Sequence, residues 1–131
     1  MMLIKTAVLS ILASSTAVLA ATSCDEKVYV PVSDAQACVD YIRNKGSQEC
    51  VLDGQSIEFC HAGLGRIRGS NNGKCRKYPV SEKGCQKAPC EDVATGAQAI
   101  IDECTKDGKT GGYNDVFGND NYRVSIDPVL N

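Results

Sequence analysis

The chain has 131 residues and a formal net charge of −2 at pH 7, and 23% of its residues are charged. That near balance, with 5% aromatic residues and no tryptophan, lacks the signature of a nucleic-acid-binding domain, in which basic residues are interleaved with base-stacking aromatics. Eight cysteines in so short a chain favour a disulfide framework and an oxidising compartment.

The first twenty residues have the features of a secretory signal peptide. Lys5 precedes an apolar segment, and small residues follow at Ala20 and Ala21. The apolar segment is short and rich in Ser, Thr and Ala, so an uncleaved membrane anchor is the less favoured alternative. We therefore predict a signal peptide over residues 1–20, a single secreted domain over residues 21–131, and an extracellular location.

All eight cysteines follow the predicted cleavage site, and we expect them to form up to four disulfides with no free thiol. Spacing alone does not select one pairing among the many possible. Each bridge is expected to contribute roughly 2 to 4 kcal/mol to stability. The predicted bridge residues are Cys24, Cys38, Cys50, Cys60, Cys75, Cys85, Cys90 and Cys104.

The first half of the domain predicts a strand, a helix and two further strands. Residues 27–32 (KVYVPV) alternate and include β-branched side chains, which favours a short strand. Ser33 is a suitable N-cap for a helix over residues 34–44. Residues 55–69 (QSIEFCHAGLGRIRG) predict two strands joined at glycines. The side chains expected to face the core are Ile57, Phe59 and Ile67.

The second half predicts a long loop, a second helix and a last strand. Residues 70–88 are rich in turn-forming residues and predict an irregular loop. The helix begins at Cys90, and Gly108 is placed to end it. A loop over residues 108–121 and a strand over residues 122–126 follow. The apolar stripe of the helix consists of Val93, Ala97, Ile100, Ile101 and Cys104.

In chain order the predicted elements are strand, helix, strand, strand, helix and strand. This is the order of a ferredoxin-like α+β fold, βαββαβ, in which two helices lie on one face of a four-stranded antiparallel sheet. The connection before the last strand is longer than is usual, so a small β-rich disulfide fold is the alternative. We find no internal repeat in the sequence.

The residue types that usually carry chemistry are poorly placed for it. His61 is the single histidine and adjoins Cys60, but neighbours on a strand point to opposite faces, which prevents a catalytic Cys-His pair. The cysteine spacings do not fit zinc. An oxygen-rich segment could bind calcium but lacks the ligand order of an EF-hand, and its members are Asp115, Asn119, Asp120 and Asn121. We therefore predict no enzyme activity, metal or cofactor.

Binding is the remaining class of function, and two segments are candidates for it. Between Gly63 and Lys87 there are seven basic residues and one acid, which is typical either of a solvated loop or of a surface for an anionic partner or membrane. Membrane contact is possible on this basis but not favoured. The second candidate is the Gly-Asn loop near residue 119. The residues that we assign to a possible binding surface are Arg66, Arg68, Arg76, Lys77, Asn119 and Asp120.

Several of these motifs together resemble small cysteine-rich proteins secreted by filamentous fungi. They are the signal peptide, the C-x-x-Y-I motif that begins at Cys38, FCHAGLGRIRG, and CEDVATGAQAIIDEC with the GG and Gly-Asn segments before YRVSI. Within that group the chain is similar to the effector family that includes the paired, secreted-in-xylem-type effectors of plant-pathogenic fungi.

The resemblance implies an α/β sandwich similar to that of virally encoded fungal killer toxins. It also implies action by protein contact in or around host tissue, including the host apoplast, with a host protein or a second secreted effector as the partner. No functional residue is transferred by the resemblance. The alternative is a killer-toxin-like antimicrobial protein that acts on competing microbes or their membranes.

Overall fold

A computed structural model gives the fold of the chain. The predicted signal peptide, Cys75 and Cys85 all lie outside the residues that the structure describes, as do Arg76 and Lys77. The described residues are 22–27, 29–52, 56–71, 87–116 and 119–129, of which 119–121 are described by their backbone alone.

Within these residues there are two α-helices and nine short or medium strands. This confirms the predicted α+β class. The helices are α1 (Val32–Arg43) and α2 (Cys90–Cys104). The strands are β1 (Ser23–Cys24), β2 (Val30–Pro31), β3 (Glu49–Val51), β4 (Ser56–Ala62), β5 (Gly65–Asn71), β6 (Lys87–Pro89), β7 (Lys109–Thr110), β8 (Gly112–Val116) and β9 (Asn119–Pro128).

The main sheet has five strands in the order β1-β8-β9-β5-β4, and its neighbouring strands are antiparallel. The predicted four-stranded sheet was therefore wrong in strand number. Residues 112–116 were predicted as loop but form β8, and β1 adds a strand at the edge. Among its described residues, the predicted first strand contributes only β2, which pairs with β7 outside the main sheet.

The helices cover one face of the main sheet, and its apolar side chains alternate toward them. Ile67 on β5, with Val124 and Ile126 on β9, is fully buried. Helix α1 contacts β4 and β5, while α2 contacts β8 and β9. Period-two alternation therefore divides the sheet into a helix-covered face and an opposite face, which we call the open face.

A β-bulge interrupts this alternation on β4 between Glu58 and Cys60. Phe59 and Cys60 are consecutive, yet both pack against the helix-side core, because a bulge re-aims one side chain. Cys60 can thus bond to Cys38 on α1. His61 returns to the open face opposite Arg66, so the prediction that Cys60 and His61 point to opposite faces is confirmed.

The structure contains a repeat that the sequence does not reveal. Helix α1 with the β4–β5 hairpin has the same arrangement as α2 with the β8–β9 hairpin, and β5 pairs with β9 at the centre over seven residue pairs. The buried positions of the two helices also match at one constant offset along the chain. They are Ala35, Cys38, Val39 and Ile42 in α1 and Val93, Gly96, Ala97 and Ile100 in α2.

Two glutamines join the helices where these halves meet. The Gln36 amide nitrogen donates to the Gln98 amide oxygen at 2.8 Å, and the Gln98 nitrogen donates back to Gln36 at 3.1 Å. Each nitrogen also donates one turn along its own helix, to Asp40 and Asp102 respectively at 3.0 Å. Both N–H donors of each amide are thereby used, which fixes how the two helices lie side by side.

The N-cap of α1 and the C-cap of α2 differ from prediction, whereas α2 begins at Cys90 as predicted. Pro31 and Pro89 occupy the N-cap positions with extended backbone, so Ser33 lies inside the first turn of α1 instead of capping it. Helix α2 ends at Cys104, and its C-cap residue Thr105 has an extended backbone. Gly108 therefore belongs to the following turn, where its positive φ of 79° is accommodated without strain.

Three disulfides tie this framework together, and none of the six cysteines that the structure describes is free. Cys24–Cys104 joins the edge strand β1 to the end of α2. Cys38–Cys60 joins α1 to β4, and Cys50–Cys90 joins β3 to the start of α2. That all eight cysteines are oxidised stays a prediction, because Cys75 and Cys85 lie outside the described residues.

Tyr122 links the main sheet to the small β3–β6 ribbon. Its side chain is fully buried on β9, and its hydroxyl donates a hydrogen bond of 2.8 Å to the Cys50 carbonyl oxygen on β3. Burial raises the pKa of the Tyr122 hydroxyl far above its ordinary value of 10.0.

We expect Tyr122→Phe to destabilise the protein by about 1 to 2 kcal/mol, because the Cys50 carbonyl then loses its buried donor. Since the pKa is raised in the folded state, the stability that this group contributes is complete below about pH 10 and is lost at higher pH, where only the unfolded chain ionises. Urea unfolding from about pH 8 to 11 should show this decline in the wild type and less of it in the variant.

The matched control for this measurement is Tyr41→Phe, at a tyrosine that is 54% exposed. It should leave both the stability and its pH dependence unchanged. If Tyr122→Phe and Tyr41→Phe behaved alike, the buried hydrogen bond would not have the role assigned to it.

Candidate functional site

The open face of the main sheet carries polar and aromatic side chains from four strands. Direct cross-strand neighbours share a face, and the register places Glu58 opposite Arg68, Arg66 opposite Asp127 and Asp115 opposite Arg123. The open face is therefore a charged surface formed by side chains of the main sheet. Its main members are Glu58, His61, Arg66, Arg68, Tyr113, Asp115, Arg123, Ser125 and Asp127.

Two arginines of β5 share one carboxylate at the centre of this face. Arg66 Nε donates to Asp127 Oδ1 at 2.9 Å, and Arg68 donates to Asp127 Oδ2 from Nη2 at 2.7 Å and from Nε at 3.1 Å. The Asp127 side chain is only 20% exposed. Charge-assisted bonds of this length are among the stronger hydrogen bonds in proteins, so both guanidinium groups are held in place.

The same arginines reach the edge strand β4. Arg66 Nη1 lies 3.7 Å from Glu58 Oε1, and Arg68 Nη1 donates to the Ser56 hydroxyl at 3.2 Å. The distance to Glu58 is beyond hydrogen-bonding range. Glu58 therefore neutralises part of the charge of Arg66 while its own oxygens accept no hydrogen bond from the described residues.

A second arginine group lies on β8 and β9. The Arg123 guanidinium carbon is 4.1 Å from the centre of the Tyr113 ring, a cation–π distance. Arg123 Nε is 3.9 Å from Asp115 Oδ1, and neither atom has a hydrogen-bond partner among the described residues. The guanidinium is therefore held by the ring and by charge attraction, which leaves its hydrogen-bonding capacity incompletely used.

One further carboxylate lies beside the central cluster. Burial and then repulsion from Asp127 raise the pKa of Asp25 above its usual range. A raised pKa means that the ionised form of Asp25 opposes folding at neutral pH. The carboxylates around Arg66 and Arg68 thus more than compensate their charge, and this part of the surface is not basic.

A groove lies beside the open face, between α1 and the edge strand β4. Its volume is about 490 Å³. Tyr41 forms part of its helix wall, with Lys45 Nζ 4.7 Å from the centre of the ring. The residues that line the groove are Ala37, Tyr41, Glu58, Phe59, Cys60, His61 and Ala62.

The structure separates the residues that we predicted as one binding surface. Arg66 and Arg68 are together, but Arg66 lies opposite Asp127 near the end of β9, whereas Asn119 and Asp120 begin that strand. Eight residues of strand place the two ends about 25 Å apart. The predicted loop over residues 108–121 was also wrong, because it contains β7, β8 and the start of β9.

Sequence reasoning missed the partners that define the site. Asp127 and Tyr113 were not singled out, and Asp115 was considered only for calcium, although it lies beside Arg123. The alternation in YRVSID could have placed Arg123, Ser125 and Asp127 on one face. Their pairing with Arg66 and Tyr113 depends on strand order, which that alternation does not contain.

The described part of the chain shows neither a candidate metal-binding group nor a membrane-spanning helix. No group of three or more His, Cys, Asp and Glu side chains there is placed to hold a metal ion. No helix there is long and apolar enough to cross a membrane.

We expect Asp127→Asn to destabilise the protein by about 1.5 to 3 kcal/mol, because a mostly buried carboxylate accepts bonds from two arginines. The control is Glu49→Gln, which removes a more exposed carboxylate 3.5 Å from Lys87 and should cost less than about 1 kcal/mol. Chemical denaturation at neutral pH compares the two. Equal small losses would show that the Arg66–Asp127–Arg68 cluster does not stabilise the sheet.

Comparison with known proteins places the chain in a family without assigning it an activity. A family model described as a domain of unknown function (DUF8794) matches residues 19–128. The sequence matches no curated protein. Because the model covers most of the chain, the protein belongs to the DUF8794 family.

Proposed function

We propose that the protein is a secreted, fungal effector-like protein that acts by binding a host protein or a second secreted protein, without catalysis. The predicted signal peptide, the three disulfides and the effector-like motifs support secretion into an oxidising extracellular space. The two helices over one face of an antiparallel sheet support the similarity to the killer-toxin-like α/β sandwich and, more broadly, to a ferredoxin-like arrangement.

The observation that carries this proposal is the open face. Its arginines and Tyr113 are of the residue types that contribute most to protein–protein binding energy. Asp127 holds Arg66, and Asp115 lies beside Arg123. Arg123 also lies over the Tyr113 ring. Binding to side chains that are already ordered loses less conformational entropy, which favours affinity.

The charge of the open face favours a protein partner over an anionic membrane. Arg66 and Arg68 are compensated by Asp127 and Glu58, so the surface alternates in sign instead of being uniformly positive. A surface of mixed sign selects a complementary protein through attraction and repulsion at specific positions.

The proposal is tested with immobilised, oxidised protein and host apoplastic fluid. We expect a host protein to be retained, and Tyr113→Ala to weaken its binding about tenfold or more, since aromatic residues are frequent hot spots. Tyr29→Ala is the matched control, because Tyr29 is 55% exposed and lies outside the main sheet. That variant should bind as the wild type does.

Infiltration of the purified protein into host leaves gives a second readout of the same proposal. Failure to retain any host protein, together with no response of the leaf, would contradict it. Inhibition of competing fungi, or dye leakage from anionic vesicles, would instead support the killer-toxin-like antimicrobial alternative.

A further inference from the structure

The groove beside the open face lies at an open edge of the main sheet. Strand β4 is the last strand in the sheet order and pairs with β5 on its inner side alone among the described strands. An edge strand of seven residues presents backbone N–H and C=O groups that can pair with another chain. Such an edge next to a helix is a known arrangement for binding extended peptides.

The hairpin geometry identifies one residue whose backbone groups point outward. Ala62 and Gly65 are paired across the two-residue turn Gly63–Leu64, in which Gly63 has a φ of 56°. Residues that flank such a turn form the first hydrogen-bonded pair, and hydrogen-bonded pairs alternate with non-hydrogen-bonded ones. The next residue, His61, therefore directs its N–H and C=O away from β5.

Side chains on both walls of the groove suit a peptide with an apolar or aromatic residue. Tyr41 on α1 is 54% exposed and faces the groove. Phe59 lies on the opposite wall, where the bulge directs it toward the helix side, close to Gly69. The absence of a Cβ at Gly69 leaves room for the Phe59 ring. Because both rings line the groove, an aromatic or branched side chain of a peptide would meet aromatic surface there.

The negative charge of Glu58 in the groove favours a peptide in which a basic residue lies near the apolar or aromatic one. Glu58 is the one acidic residue among the lining side chains and is 41% exposed. Its oxygens accept no hydrogen bond from the described residues, because Arg66 is bonded instead to Asp127. A Lys or Arg side chain of a bound peptide would satisfy it.

We propose that the groove between α1 and β4 binds an extended peptide segment of a partner protein. The segment adds to β4 as a further strand, places an apolar or aromatic side chain between Tyr41 and Phe59, and places a basic side chain at Glu58. Because the bulge at Phe59 interrupts the ladder, the added strand pairs with the part of β4 that follows it, at His61. This inference rests on the proposed function in that the peptide belongs to the bound partner.

The test uses amide NMR spectra of the labelled protein titrated with a capped peptide, Lys-Val-Tyr-Val-Lys. We expect chemical-shift changes centred on residues 37–41 and 58–62. Two control peptides have the same length. Replacing both lysines by glutamate should weaken binding, and N-methylation of alternate backbone nitrogens should weaken it at least tenfold, because pairing with β4 is then blocked.

Two variants test the contacts from the protein side. Glu58→Gln should reduce the preference for the lysine peptide over the glutamate peptide about two- to fivefold, as expected for one exposed charge pair. His61→Pro should abolish binding while leaving thermal unfolding little changed, since proline is tolerated where an edge-strand N–H faces solvent. If His61→Pro fails to fold, the N-methylated peptide still decides.

The outcomes separate this inference from the proposed function. Absence of shifts at millimolar peptide, shifts confined to β5, β8 and β9, or equal affinity for the N-methylated peptide would each overturn it. Self-association through β4 that excludes the peptide would also overturn this inference.

If His61→Pro retained the host partner as the wild type does, the proposed function would stand and the groove would not be the binding site. If the wild type retained no partner and the leaf did not respond, the proposed function itself would fail.

Discussion

The antiparallel pairing of β5 with β9 is the interaction on which the rest of the structure depends. It joins the two αββ halves through seven residue pairs at the centre of the main sheet. On one side it presents Ile67, Val124 and Ile126 to the helices, where they are fully buried. On the other side it brings Arg66 and Arg68 to Asp127. One register thus determines both the core and the centre of the open face, and a shift by one residue would exchange the two.

The disulfides and the glutamine pair act on the outer parts of this arrangement. Cys38–Cys60 holds α1 against the edge strand, and Cys24–Cys104 holds β1 to α2, while Gln36 and Gln98 fix the helices to each other. In a domain of this size such links offset the limits of a small core. They also leave the α1–β4 groove with stable walls. The disulfides and the glutamine pair that stabilise the fold therefore also order the groove before a partner binds.

The sequence was informative where structure is local and uninformative where it depends on pairing. The five predicted stripe residues of α2, from Val93 to Cys104, are all buried, because helical periodicity depends on nearby residues alone. Strand β8 was missed since glycine and asparagine occupy its buried positions at 112 and 114. Helix α1 begins at Val32 because Pro31, and not Ser33, takes the N-cap position. The groove depends on a bulge, a strand order and a helix position, which are long-range properties.

Native-state hydrogen exchange, followed residue by residue by NMR, tests the central claim most directly. The claim is that a rigid β5–β9 centre carries an open edge at β4. The account predicts the slowest exchange at inward-bonded amides of β5 and β9, close to the rate set by global unfolding, and fast exchange at the His61 amide. Strong protection of His61 in the free protein would show that another part of the chain covers the edge. Exchange in β5 and β9 as fast as at His61 would show that their pairing is not the stable centre.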